Sequence, residues 1–191
     1  MSLQRFRRDQ LPVMPWKNGG GSTCEIACWP PGAALGEFGW RVSIATIAAA
    51  GPFSVFEGVD RSIMLLAGDG VRLQSDDGAI DHRLDTPHQP FAFSGDAAIA
   101  CTLLGDTSSD FNVMTRRGQW QAELRVLEHA GTIAPAEHGM LLALRGSWRL
   151  AGETVPCSEG EGLCWTGTAQ AWQVEPETAG AKLLAVSFAP S

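Results

Sequence analysis

No apolar run in this 191-residue sequence approaches the roughly 20 residues that a membrane-crossing helix needs, so no helical span is expected. The start, Met1-Ser2-Leu3-Gln4-Arg5-Phe6-Arg7-Arg8, is basic but has no apolar stretch behind it. It does not read as a secretory signal, and the expected compartment is the cytoplasm. Charge is scarce, at 18%, and the balance is acidic, with a net −7. The few Arg and Lys residues form no run that could track a phosphate backbone, so neither nucleic acid nor a membrane is an expected partner. Tyrosine is absent beside seven tryptophans, an imbalance for which we have no physical account.

Cysteine and histidine are also sparse in any useful pattern. Five cysteines is an odd number, and Cys24 and Cys28 fall in a segment that reads as a strand. At about 3.3 Å per residue they would stand roughly 13 Å apart, too far for a disulfide or a shared metal, so all five are expected to be reduced. The histidines, His82, His88, His129 and His138, form no His-x-His pair and no two-His-plus-carboxylate spacing, which leaves no recognisable metal site. No Gly-x-Ser-x-Gly elbow occurs either, so hydrolase chemistry has no support in the sequence.

What is present is a period of two. Thr23, Glu25, Ala27 and Trp29 alternate with Cys24, Ile26 and Cys28, and Trp40, Val42 and Ile44 alternate with Arg41, Ser43 and Ala45. Turn chemistry interrupts the apolar stretches at Gly68-Asp69-Gly70, Asp76-Asp77-Gly78, Gly105-Asp106, Gly146-Ser147 and Gly152-Glu153. Short strands with frequent tight turns predict an all-β sandwich or barrel. The stretch Leu65 to Leu73 is echoed by Leu142 to Leu150, Phe91 to Gly95 by Leu163 to Gly167, and Ile99 to Leu104 by Leu183 to Phe188. The echo predicts two tandem jelly-roll modules, residues 1–118 and 119–191, with a junction near Gly118.

Three segments carry candidate chemistry. In Pro15-Trp16-Lys17-Asn18-Gly19-Gly20-Gly21-Ser22-Thr23-Cys24-Glu25-Ile26, three glycines leave backbone N–H groups uncovered, and Lys17 adds a positive charge, a combination suited to a carboxylate. The spacing matches no nucleotide-binding motif, and a plain turn into a strand is an equal reading. In Asp110-Phe111-Asn112-Val113-Met114-Thr115-Arg116-Arg117-Gly118, Asn112, Met114 and Arg116 share one strand face, where Asn112 and Arg116 could clamp a carboxylate. Arg117 reads as a surface residue. Arg41 sits mid-strand beside small Ser43 and Ala45, so its guanidinium has an enclosed place to go and needs a partner there. Asp60 and Arg61 read at least as well as turn residues.

Together with Trp40-Arg41-Val42-Ser43-Ile44-Ala45 and Gly51-Pro52-Phe53-Ser54, the first two of these segments resemble the HutD/Ves family, in family order across residues 1 to 118. The resemblance implies a bicupin, with two cupin-type double-stranded β-helix modules, and an association with bacterial histidine utilisation without established catalysis. It implies a small acidic partner such as N-formylglutamate or urocanate. Around Phe53 to Glu57 the chain departs from the metal-binding cupin pattern, so no cofactor is expected. The leading expectation is a carboxylate-binding protein that senses or moderates histidine catabolism, with Lys17, Asn18, Thr23, Glu25, Arg41, Arg61, Asn112 and Arg116 around one N-terminal cavity. The alternative is a metal-independent enzyme, an isomerase or hydrolase, in which Lys17 or Glu25 moves a proton. Association as a homodimer is left open.

Overall fold

The computed structural model describes residues 2–191, and among them there is no α-helix, only strands and one 3-10 turn, Arg8–Gln10. In chain order the strands are β1 (Ser2–Arg7), β2 (Met14–Pro15), β3 (Gly21–Trp29), β4 (Trp40–Ile47), β5 (Gly51–Pro52), β6 (Val59–Ala67), β7 (Val71–Ser75), β8 (Asp81–Leu84), β9 (Pro90–Ser94), β10 (Ile99–Leu103) and β11 (Ser108–Arg116). They continue as β12 (Trp120–Leu127), β13 (Gly131–Ala136), β14 (His138–Arg145), β15 (Ser147–Leu150), β16 (Cys157–Ser158), β17 (Glu161–Thr166), β18 (Gln170–Pro176) and β19 (Lys182–Pro190). Among the described residues no helix is long and apolar enough to cross a membrane.

The chain divides into two compact units, Pro12–Trp120, and Met1–Leu11 with Gln121–Ser191. Strand order shows why. The first unit has sheets β2-β3-β4-β11-β6-β9 and β5-β10-β7-β8, and the second has β1-β17-β14-β19-β12 and β13-β18-β15-β16. Adding eight to each of β4 to β11 reproduces the pairings of β12 to β19, so one eight-stranded jelly roll is built twice. The remaining strands extend edges: β2 and β3 lie outside β4, and β1 pairs with β17 from Ser2 opposite Thr166 to Arg7 opposite Glu161. Residues 1–118 were expected to form the first module, but this pairing takes the amino-terminal strand to the second.

The strand correspondence also corrects one part of the internal echo. Ile99 to Leu103 pairs with β7 in the smaller sheet, and its counterpart is Gln170–Pro176, which pairs with β15. Leu183 to Phe188 belongs to β19, the counterpart of β11. The physical reason is that β18 buries only alternate residues, whereas β19 buries a nearly continuous apolar run, which resembles the Ile99 to Leu104 stretch more closely in sequence.

Each unit closes over its own core. In Pro12–Trp120, Ile47, Ile63, Leu65 and Phe93 from the larger sheet meet Val71, Leu73, Leu84, Ile99 and Cys101 from the smaller. In the other unit Trp148, Trp165 and Trp172 pack with Leu141, Leu150, Leu163 and Leu183. All five cysteines are free thiols, and burial pushes Cys164 up to about 12.

Candidate functional site

Register fixes which side chains share the inner face of the first unit. Ile47, Ile63, Leu65 and Phe93 point toward the smaller sheet, so their alternate neighbours do also. Arg41 lies opposite Met114, Met114 opposite Arg61, and Arg61 opposite Phe93. One step along, Glu25 is opposite Ser43, Ser43 opposite Asn112, and Asn112 opposite Ile63. The next step brings Thr23, Ala45, Asp110 and Leu65 into line. A polar band therefore crosses an otherwise apolar interior.

The band contains two arginines, each only 7% exposed, and they are held differently. Arg41 Nε donates to Glu25 Oε2 at 2.7 Å, and its Nη1 donates to Ser43 Oγ at 3.4 Å, so this guanidinium has a carboxylate partner. Arg61 has none: its Nη2 donates to the neutral Asn112 Oδ1 at 2.9 Å, and its buried Nε has no acceptor among the described residues. Its guanidinium sits over three phenyl rings, Phe93 at 5.0 Å, Phe53 at 5.3 Å and Phe56 at 5.7 Å. Burial, and then the positive charge of Arg41, push Arg61 down to about 10. A buried cation without a counter-charge is costly and ready to take an anion.

Deeper on the same face lies Asp110, 0% exposed. One oxygen accepts a long 3.4 Å hydrogen bond from Ser108 Oγ and the other has no partner. Burial lifts its carboxyl to about 7, against the weaker opposing effect of Ser108. Cys101 is raised to about 12, by burial first and then by Asp110, and stays a thiol.

Of the expected ligand residues, Glu25, Arg41, Arg61 and Asn112 come together, and Thr23 stands one step away with its hydroxyl accepting from Trp16 Nε1 at 2.8 Å. Lys17 and Asn18 do not join them. Gly21 faces Ile47, six residues along β4 from Arg41, or about 20 Å at strand rise. The glycine loop is a closed turn and not an open anion cradle. Gly19 N–H donates to Trp16 O, Gly20 N–H to Asn18 Oδ1, and Gly20 O accepts from both Ala48 and Ala49. Gly21 is required for another reason, since a Cβ there would meet Thr46 O at 2.2 Å and the Trp16 ring at 3.0 Å. Gly21→Ala is expected to lower stability by about 1 to 3 kcal/mol through overpacking, read as a lower urea midpoint. Gly19→Ala, at φ +70° in open space, should cost about 1 kcal/mol.

Arg116 is also absent from the band. Its Nη1 donates to Glu57 O at 3.0 Å, its Nη2 donates to Gly36 O, and the guanidinium lies 5.7 Å from the Phe38 ring. It braces two loops and clamps nothing inside. Arg117 is a surface residue, as expected, paired with Asp60 at 2.8 Å and Asp96 at 2.7 Å. A bulge between Glu25 and Ala27 corrects the predicted β3 alternation: one extra residue puts Cys28, opposite Arg41, on the same face as Glu25.

Two jelly rolls in one chain, the first with a buried arginine band, define a cupin-type protein with tandem modules. The fold is shared with Lactobacillus farciminis oxalate decarboxylase (8% identity, TM-score 0.65, 100% of this chain and 89% of that one). It is also shared with a nickel-bound Escherichia coli pirin (11% identity, TM-score 0.61, 97% and 98%). Among the described residues no three His, Cys, Asp or Glu side chains are grouped to hold such an ion, so no chemistry is assigned to a metal. The chain belongs to the HutD family, whose model matches residues 8–184, and this ties it to histidine utilisation. It is 40% identical over 164 residues to protein Ves of Citrobacter koseri, covering 85% of this chain and 83% of that one. Among solved structures it is similar to a conserved Pseudomonas aeruginosa protein of unknown function (36% identity, TM-score 0.86, 98% and 99% covered). It is also similar to HutD of Pseudomonas fluorescens SBW25, solved in a formate condition (30% identity, TM-score 0.85, both chains covered fully).

Proposed function

We propose that the chain binds a small carboxylate on the inner face of its first module, and that this binding lets it sense or moderate histidine catabolism. The observation that carries the reading is Arg61, a guanidinium 7% exposed with no carboxylate partner and an orphaned Nε. A ligand carboxylate would supply the missing charge and accept charge-assisted hydrogen bonds. Asn112 orients the guanidinium, and Phe53, Phe56 and Phe93 keep water from it. Glu25 is engaged with Arg41 and Lys17 lies on a distant turn, so neither is placed as a proton-transfer group for the enzymatic alternative.

Calorimetric titration with formate, urocanate, N-formylglutamate and glutamate tests the reading. Formate is a natural first ligand because the Pseudomonas fluorescens HutD structure carries a formate condition. Binding of at least one at submillimolar Kd is expected. Arg61→Met should weaken it by about 1.5 to 3 kcal/mol, the usual worth of a hydrogen bond to a charged group. Silence from all four at millimolar concentration, or an unchanged Kd in the variant, would remove the assignment.

A further inference from the structure

The polar band carries a specific count of charges, and that count selects among carboxylates. Glu25 is 2.7 Å from Arg41 and cancels its charge, while Arg61 has only the neutral carbonyl oxygen of Asn112. Asp110, the remaining acid on this face, is deeply buried and makes no hydrogen bond to Arg61, since one oxygen meets Ser108 Oγ and the other has no partner, and burial holds its carboxyl toward the neutral form. The Arg61 guanidinium is enclosed by Phe53, Phe56 and Phe93, and these rings favour an uncharged body on the ligand. Taking the carboxylate-binding reading as its basis, we infer that the site is built for a ligand with one carboxylate and an otherwise uncharged body, with Asn112 and Glu25 setting that number.

The two residues act in opposite ways. Asn112 keeps Arg61 uncompensated: an oxygen of the same shape but negative charge at this position would neutralise the guanidinium from within and repel an incoming carboxylate. Glu25 keeps Arg41 occupied through a 2.7 Å ion pair, so the band offers no second free cation to a second ligand carboxylate. A dicarboxylate must therefore displace Glu25 or leave its second charge unpaired beside it.

Titration of the full chain at pH 6.5 with propionate and succinate, which differ by one carboxylate, tests the inference. Wild type is expected to bind propionate at least tenfold more tightly than succinate. Asn112→Asp should lose at least tenfold in propionate affinity. Glu25→Gln should gain at least tenfold for succinate, because Arg41 is freed, and the gain for succinate should exceed any change for propionate, so that the wild-type preference shrinks or disappears. Equal binding of the two ligands by wild type, or unchanged propionate affinity in Asn112→Asp, would overturn the single-carboxylate inference and leave carboxylate binding standing. Should Asn112→Asp not fold, the Glu25→Gln preference decides alone, with an unaltered preference counting against the inference. No binding of either ligand by any of the three proteins, with formate, urocanate, N-formylglutamate and glutamate equally silent, would bring down the proposed function itself.

Discussion

Asp110→Asn is expected to raise stability at pH 8 by about 2 kcal/mol and to remove a pH dependence that wild type shows between about pH 4 and 7. Asp110 is fully buried with one oxygen unpartnered, and its carboxyl moves from an ordinary 3.8 to about 7 on folding. The sign follows from linkage: the folded state holds the proton longer than the unfolded chain, so folding is favoured at low pH. That advantage is complete below about pH 4, where both states are protonated, and is lost as pH rises to about 7. The rate of loss is about 1.4 kcal/mol per pH unit, with a ceiling near 4 kcal/mol.

Asparagine mimics the protonated acid in shape and cannot ionise. It leaves a buried N–H to accommodate, which costs about 1 to 3 kcal/mol, hence the expected gain of about 2 and not 4. Urea midpoints at pH 4.5, 6 and 8 give the measurement. Other carboxylates, such as Asp96, held at about 2 chiefly by Arg117, titrate in both proteins and cancel in the difference. Parallel stability curves for the two proteins would mean that water or structural relaxation solvates Asp110 and that its burial carries no electrostatic cost.

The Asp110 result would also mark what the sequence could not convey. Alternation in Trp40 to Ile47 places Arg41, Ser43 and Ala45 on one face, and the structure keeps them there. Face alone does not give height along the strand. Asn112 and Arg116 share a side of β11, yet Asn112 meets Arg61 while Arg116 braces Glu57 O and Gly36 O. The glycine loop was legible as a turn, but whether its N–H groups face a ligand or Trp16 O and Asn18 Oδ1 depends on a local fold that composition does not encode. Phe53, Phe56 and Phe93 carry no signal as a set in the sequence, because they come from a loop and a strand 37 to 40 residues apart. Only pairing of β6 with β9 brings Phe93 to Arg61. The Glu25 bulge was equally invisible, since one inserted residue leaves the amino-acid pattern intact while it reverses every side chain beyond.

Arg61→Met is expected to give a protein that is more stable when free of ligand and much less stabilised by carboxylates. Burial and Arg41 lower the Arg61 guanidinium from 12.5 to about 10, so its charged form is disfavoured in the folded state by about 3 kcal/mol at neutral pH. This cost is present below pH 10 and fades as pH rises toward the unfolded value. Three ring contacts at 5.0 to 5.7 Å offset part of it, together about 1 to 2 kcal/mol at these long separations. Methionine fills similar volume, keeps contact with the rings and carries no charge. The substitution also strands the buried Asn112 Oδ1, at about 1 kcal/mol, so the net expectation is a gain of up to about 1 kcal/mol, or up to about 4 °C in Tm for a chain of this size. Added carboxylate reverses the order. At about 100 times the wild-type Kd the ligand stabilises wild type by about 2.7 kcal/mol, while the variant, whose Kd is about 10- to 160-fold weaker, gains only about 0.3 to 1.3 kcal/mol. Thermal melts of both proteins across a carboxylate titration should therefore cross. A variant that is less stable than wild type without ligand would show that the rings and Asn112 fully satisfy Arg61. The guanidinium would then be a structural element of the first module, and no unpaired charge would await a ligand.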